Sequence, residues 1–475
     1  MEPLRRIPQV NTKSMVKRRA AAAVLLLAAG AAVARPARAQ GEAPPMEPPR
    51  PGAGPAGAAD RVQDTLPSPL RELAAEVLDR NPDVARARAA AVAAELRAPQ
   101  VRALPDPMAS LTAFLLTPET RVGPQQAAAS LSQRFPWFGK LAQREQEALY
   151  RAAAARAEVE ARRLAAVTEA RRLYHELAFL AAEEAAVRDD RATLDRYEEL
   201  ARARYASGVG LQQAVVKIQA EITKDDNRLV AIATRRVSQA AALNALRDRP
   251  AGAPLPELSL PAPPPTPPLD AAVLTGLAQD RRPELTRSRA LLAAAGVAAD
   301  LAAREYKPDL TLGLAYTLVG RRADAAGRAM PPEGNGDDVL GLTVGVNLPV
   351  WRRKLAAGVE EAAARELAAQ EEMRAVTAGI DQSLGDLAES LPLIRKQLGL
   401  FEDLLEVQAG ESLRSAEAAY SAGSLGALDL LDAERVLIDV RVAAARARAD
   451  YLVALARLEG ALGAPLTDLS PGGAS

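Results

Sequence analysis

From Lys140 to Ala206 the chain runs about 67 residues without a proline, in a mixture rich in Ala, Arg, Glu and Leu. These residues lose little on entering a helix, so the stretch predicts one helix of roughly 100 Å at 1.5 Å rise per residue. Lys354 to Tyr420 forms a second stretch of that length, with kinks expected at Gly385 and Pro392. Helices this long exceed the needs of a compact domain. Their Ala-rich faces permit close side-by-side packing, as in coiled coils or a helical wall.

Composition narrows the function. The 475 residues carry 60 basic and 60 acidic side chains, a balance that argues against a dedicated nucleic-acid binder. There is no cysteine and one histidine, His175, so thiol catalysis, disulfides, zinc-cysteine sites and His-based triads are excluded. No nucleophile–base pair or phosphate loop accompanies them. An enzyme is not expected, nor any cofactor or metal. His175, in mid-helix after Tyr174, reads as an ordinary packed or surface residue.

The chain repeats one unit. In the first half a helix from about Leu70 carries Asn81-Pro82-Asp83-Val84; in the second a helix from Asp270 carries Arg282-Pro283-Glu284-Leu285. Each gives way to a proline-marked break, Pro105-Asp106-Pro107 or Lys307-Pro308-Asp309, then to two strands. Each strand pair ends at a proline followed within two residues by an aromatic, Phe135-Pro136-Trp137-Phe138 and Leu348-Pro349-Val350-Trp351. A long helix follows in each copy, stops at Tyr-x-x-Gly (Tyr205 to Gly208; Tyr420 to Gly423), and is followed by a shorter return helix. A shared order of marks is the signature of duplication. The expected divisions are 70–249 and 269–463 for the repeats, a Pro-rich linker at 250–268 and a tail at 464–475.

At the N-terminus, Lys17-Arg18-Arg19 precedes an uncharged run from Ala20 to Ala34 and the small-residue site Ala37-Arg38-Ala39. This is the layout of a cleaved secretory signal over residues 1–39, with Met1 or Met15 as the start. Gln40 stands where a lipid-anchored protein needs Cys. Residues 40–69, rich in Pro, Gly and Ala, are expected to be a disordered lead-in.

The strands carry the membrane signal. Leu310, Leu312, Leu314, Tyr316 and Leu318 alternate with Thr311, Gly313, Ala315 and Thr317. Leu340, Leu342, Val344, Val346 and Leu348 alternate likewise with Gly341, Thr343, Gly345 and Asn347. One greasy face and one small or polar face over about ten residues fits a strand crossing a bilayer. The expected strands are 108–117, 127–135, 309–318 and 339–348. Gly320 to Asp338 would form a long external loop. Phe135, Trp137, Phe138 and Trp351 would lie in an interfacial aromatic belt. Four strands cannot close a barrel, and lipid does not tolerate an open edge, so strands from several copies must join. Strand arithmetic permits a dimer, a trimer or more.

These features together resemble the TolC family of outer-membrane efflux factors over about residues 70–463. The marks are Gln133-Arg134-Phe135-Pro136-Trp137-Phe138-Gly139-Lys140, the Gly208-Val209-Gly210-Leu211-Gln212-Gln213 turn with Gln219 and Glu221, and Tyr420-Ser421-Ala422-Gly423 with Leu428-Asp429-Leu430-Leu431-Asp432-Ala433-Glu434. The resemblance implies a mainly helical fold in which three protomers share a twelve-stranded β-barrel in outer-membrane lipid, continuous with a periplasmic α-helical barrel. It further implies a passive duct that meets an inner-membrane pump through a periplasmic adaptor of the membrane fusion protein class. The first repeat's motif resembles the branch tied to metal-cation and small-molecule pumps. A type I protein-secretion exit duct and a membrane-anchored structural coiled coil are the alternatives. Asp429 and Asp432, three apart on one helix face, read as carboxylates favoured near a helix start. The resemblance places them with Tyr420 at a cation-favouring constriction. The family's tip arginine is absent, with Leu425 in its region. The turns Gly208, Val209, Gly210, Leu211 and Gly423, Ser424, Leu425, Gly426 would form the adaptor-docking tips.

Overall fold

The computed structural model describes residues 57–267 and 269–469. The signal segment and most of the lead-in lie outside them. In chain order the elements are α1 (Ala58–Asp64), α2 (Ser68–Arg80), α3 (Pro82–Glu95), α4 (Arg97–Arg102), β1 (Met108–Ala113), β2 (Glu119–Thr120) and β3 (Gly123–Phe135). Then follow α5 (Lys140–Ala206), α6 (Gln212–Leu246), α7 (Ala271–Arg281), α8 (Pro283–Arg304), β4 (Leu310–Val319), α9 (Ala325–Ala329) and β5 (Val339–Val346). Helix α10 (Arg352–Gly399) passes through a π-helical segment, Leu400–Leu405, into α11 (Glu406–Ser421); α12 (Ala427–Leu462) and a 3₁₀ turn, Leu466–Leu469, complete the chain.

Each helix expected to carry a proline near its middle is broken there. Asn81 and Arg282 have ψ of 122° and 121°, because the ring of a following proline disfavours the helical region for the residue before it. Asn81 Oδ1 then accepts hydrogen bonds from the Asp83 and Val84 amides at 3.0 and 3.1 Å, capping α3. The second long helix is interrupted not at Gly385 or Pro392, which lie within α10, but by the π-helical segment beyond them. Such a segment inserts a residue into the helical ladder and redirects it.

The described residues form two compact units. One, residues 96–149 and 295–366, is built on an antiparallel sheet in the order β1-β3-β4-β5, with β2 paired to β3. Register places Leu111, Ala129, Tyr316 and Leu340 in one row, and Ala109, Leu131, Leu314 and Leu342 in the next, all on one face. The opposite face carries mostly small or polar residues, Ser130, Ser132, Gly313, Ala315, Thr317, Gly341, Thr343 and Gly345, with Met108 and Val339 as apolar exceptions and the Ser110 and Ser130 hydroxyls bonded at 2.8 Å. The apolar face is bare: Leu342 is 76% and Leu111 73% exposed. β1 and β5 are unpaired edges within the chain. The first strand ends at Ala113, short of the expected 117, where β3 bulges between Gln125 and Ala127. β3 instead reaches back to Gly123, where β2 pairs with it.

The other unit, residues 57–95, 150–294 and 367–469, is helical. Each repeat has its own core. In the first, Leu70, Leu73, Val77 and Leu78 pack on Leu164, Val167, Leu173 and Leu177; in the second, Leu274, Ala278 and Leu285 pack with Leu384, Leu391, Tyr451 and Leu458. The lead-in is not disordered to residue 69: Ala58, Ala59, Val62 and Leu66 form an apolar stripe buried in the first core. That burial outweighs the helix-averse composition around it. The described residues of the proline-rich linker, 250–267, have no helix or strand, yet they are pinned to the helices: Tyr174 Oη donates to Glu257 O at 3.2 Å and Tyr451 Oη to Pro264 O at 3.0 Å. No helix among the described residues is long and apolar enough to cross a membrane.

Candidate functional site

The two Tyr-x-x-Gly marks close their helices in the same way. Gly208 and Gly423 adopt φ of 77° and 80°, a left-handed conformation in which a Cβ would be strained. The reversal lets Val209 N–H reach back to Arg204 O at 3.1 Å, and Ser424 N–H to Ala419 O at 3.0 Å. Both bonds help satisfy carbonyls at the helix ends, where Arg204 O also accepts from the Gly210 amide at 2.9 Å and Ala419 O from Ser424 Oγ at 3.0 Å. The turns beyond are open, with Val209 81% and Leu211 72% exposed. A cleft of about 600 Å³ between the tips is lined by Arg204, Val209, Leu211, Tyr420, Leu425 and Asp429, among others.

Tyr420 is buried among Ala409, Leu413, Leu430 and Leu437. Its ring is covered by Arg204, whose guanidinium carbon lies 4.2 Å from the ring centroid. Arg204 Nη2 also donates to the backbone carbonyls of Tyr420, at 2.6 Å, and Ser421, at 3.4 Å. One side chain thus stacks on an aromatic face and caps the C-terminal end of α11, where a helix dipole favours a cation. Sequence reading missed Arg204. It lies 216 residues from Tyr420, and nothing local distinguishes it from the many arginines of α5. Beside it, Tyr197 Oη donates to Glu417 at 2.8 Å, a second tie between α5 and α11.

Asp429 and Asp432 are exposed on the first turns of α12. Within the protomer Tyr420 is thus packed, whereas the two aspartates are open to solvent. Gly210, Gly423, Ser424 and Gly426 lie in the tip turns with Leu425, which packs partly against the Tyr420 cluster. Gln219 Nε2 donates to Glu198 at 2.7 Å and Glu221 pairs with Lys224 at 2.6 Å, so both have local partners. His175 is buried against Tyr174, ring centroids 5.5 Å apart. Burial, aided by Arg171, depresses its imidazole to about 4.

In the sheet unit, pairing of Phe135 with Leu310 and of Leu310 with Val346 brings one end of β3, β4 and β5 together. Trp137 and Phe138 follow β3, and Trp351 follows β5, at that end; all three are exposed, and Phe135 is half-buried. The Trp137 and Phe138 rings meet edge to face at 5.9 Å. Beneath them Asp309 accepts from the Trp137 amide at 3.0 Å and from Arg134 Nε at 3.1 Å. Lys140, 1% exposed, donates to Asp309 at 3.0 Å, Lys307 O at 3.0 Å and Glu305 at 3.2 Å. The Gln-Arg-Phe-Pro-Trp-Phe-Gly-Lys mark is thus a structural joint as well as an aromatic edge.

The sequence model of the outer membrane efflux protein family matches the chain twice, over residues 73–247 and 274–464. No curated protein sequence matches it. Among solved structures it is similar to the outer membrane protein VceC of Vibrio cholerae, at 22% identity and a TM-score of 0.70, covering 85% of this chain and 98% of that one. It is similar also to the CmeC outer membrane channel of Campylobacter jejuni, at 15% identity and TM-score 0.71, covering 83% and 85%. A third, the open state of the MtrE outer membrane channel of Neisseria gonorrhoeae, has 20% identity and TM-score 0.67, covering 84% and 89%. With the family matched in both repeats and the fold common to these channels, the protein belongs to the outer membrane efflux protein family, a transport protein of the outer membrane and not an enzyme.

Proposed function

We propose that the chain is the outer-membrane duct of a tripartite efflux system, assembled as a trimer. The observation that carries this is the sheet: a bare apolar face, a small and polar reverse face, and two unpaired edges. An exposed greasy face suits lipid, and unpaired backbone edges in lipid are too costly to persist. Twelve strands from three copies close the barrel with the Ser, Thr and Gly face lining the lumen. Trp137, Phe138 and Trp351 then lie at the membrane interface.

In this reading the helical unit forms the periplasmic part of the duct, and its tips meet a periplasmic adaptor. Val209 and Leu211, apolar and exposed beside a cleft, offer a docking surface for helical hairpins. Three copies of Asp429 and Asp432 around a narrow mouth repel anions and concentrate cations. The duct is passive and takes small molecules or metal cations handed on by an inner-membrane pump. Native mass spectrometry of the detergent-solubilised protein tests the assembly, and planar-bilayer recording tests the duct. A trimer that conducts ions is expected; a folded monomer, or a trimer with no conductance, overturns the proposal.

A further inference from the structure

Within the helical unit, three carboxylic acids from three helices meet away from the tips. Asp190 of α5, Asp225 of α6 and Glu434 of α12 are only 8%, 8% and 7% exposed. Val187, Leu229 and Val442 belong to the apolar cluster on one side, and Leu194, Ile222 and Leu431 to the cluster on the other. The Asp190 carboxyl lies within hydrogen-bonding reach of both Glu434 and Asp225. Yet Asp190 Oδ1, Asp225 Oδ2 and Glu434 Oε2 are each buried without a hydrogen-bond partner.

Those two facts have one explanation. Ionised carboxylates only accept, so two facing each other leave both oxygens unsatisfied, and a single proton converts one into a donor. Among the described residues no donor reaches those three oxygens. Arg228, a cation acting on both aspartates, is directed at Glu183 at 3.5 Å and Asp439 at 3.8 Å. The other charged groups facing the cluster are Glu221 on α6, Arg196 on α5, Glu417 on α11 and Arg441 on α12; Tyr197 on α5 already donates to Glu417. Among the described residues no group of acids has the arrangement of a metal site.

We infer that Asp190, Asp225 and Glu434 form a proton-binding site that ties α5, α6 and α12 together when protonated and loosens them when ionised. Burial first, then Glu434 beside Asp190 and Asp190 beside Asp225, push the two aspartates up to about 7, and burial raises Glu434 in the same direction. The sign follows from linkage. The folded state holds its proton more tightly than an unfolded chain, so the packing is firmest in acid and weakens as pH rises from about 4 to about 7. In the duct this would make the wall responsive to periplasmic acidity. Only that consequence rests on the duct proposal.

Hydrogen exchange of the full protein in detergent, corrected for the intrinsic pH dependence of exchange, tests the site. Protection of peptides spanning 187–194, 222–229 and 431–438 should fall by up to about tenfold per pH unit within that window, the limit for one linked proton. Asp190→Asn supplies a permanent donor and should keep acid-level protection at pH 8, with Glu434→Gln flattening the profile similarly. Infrared difference spectra of the wild type, which need no variant, should show a protonated carboxyl lost over the same range. A flat wild-type profile, an unchanged slope in Asp190→Asn, or protection at pH 8 restored by calcium would overturn the inference. A failure of trimer formation or conductance would strike the duct proposal alone.

Discussion

Removing Arg204 should release the tip. The guanidinium stacks on the Tyr420 ring and bonds two carbonyls at the end of α11. A cation–π contact at a partly exposed site contributes about 0.5–1 kcal/mol. A hydrogen bond from a charged donor contributes about 1.5–3 kcal/mol where it is dry, and solvent at this half-exposed side chain reduces that. Arg204→Ala should therefore cost this packing of the tip roughly 1–3 kcal/mol, a shift of about 5- to 150-fold in its equilibrium with looser forms. Single-channel recording should show higher open probability, and hydrogen exchange should rise at residues 197–214 and 416–430. Tyr420→Phe is the control. Arg204 engages the ring face and the backbone, so this variant should behave as wild type. Arg204→Lys, which lacks the planar fork, should fall between. An Arg204→Ala channel indistinguishable from wild type in both assays would refute this role of Arg204.

Replacing Asp429 and Asp432 together by Ala should weaken cation preference and block by multivalent cations, read as reversal potential in salt gradients. Stability should change by only about 0.3–1 kcal/mol per lost helix-dipole contact, since both side chains are exposed. Lys140→Met should destabilise the sheet unit by about 1–3 kcal/mol, because it removes one of the two cations bonded to a buried carboxylate that keeps Arg134. Trp137 fluorescence during denaturant unfolding would report it, as the Trp137 amide shares Asp309. Gly208→Ala and Gly423→Ala should each cost about 1–2 kcal/mol from the left-handed backbone alone, since a Cβ there meets nothing within 4 Å. Amide exchange at the following turn residues measures that cost.

What the sequence determined by itself is periodic or local. The 67-residue helix, the alternating strands at Leu310–Val319 and Val339–Val346, and the glycines that end α5 and precede α12 all follow from spacing, backbone preference and rotamer entropy. The TolC-family resemblance was legible for the same reason: its marks are turns and strand ends, where chain geometry restricts the residue. Tertiary structure decided what depends on partners distant in sequence. Residues 58–66 are helical because a core formed by α2 and α5 receives them, although their composition reads as disordered. Tyr420 is buried by a cluster from α11 and α12, and Arg204, from the other repeat, lies over its ring. Asp190, Asp225 and Glu434 are ordinary acids in a chain holding 60, and are gathered into one buried cluster only when three helices pack around them. A charge's neighbours and hydration are properties of three-dimensional packing, and no pattern along the chain encodes them directly.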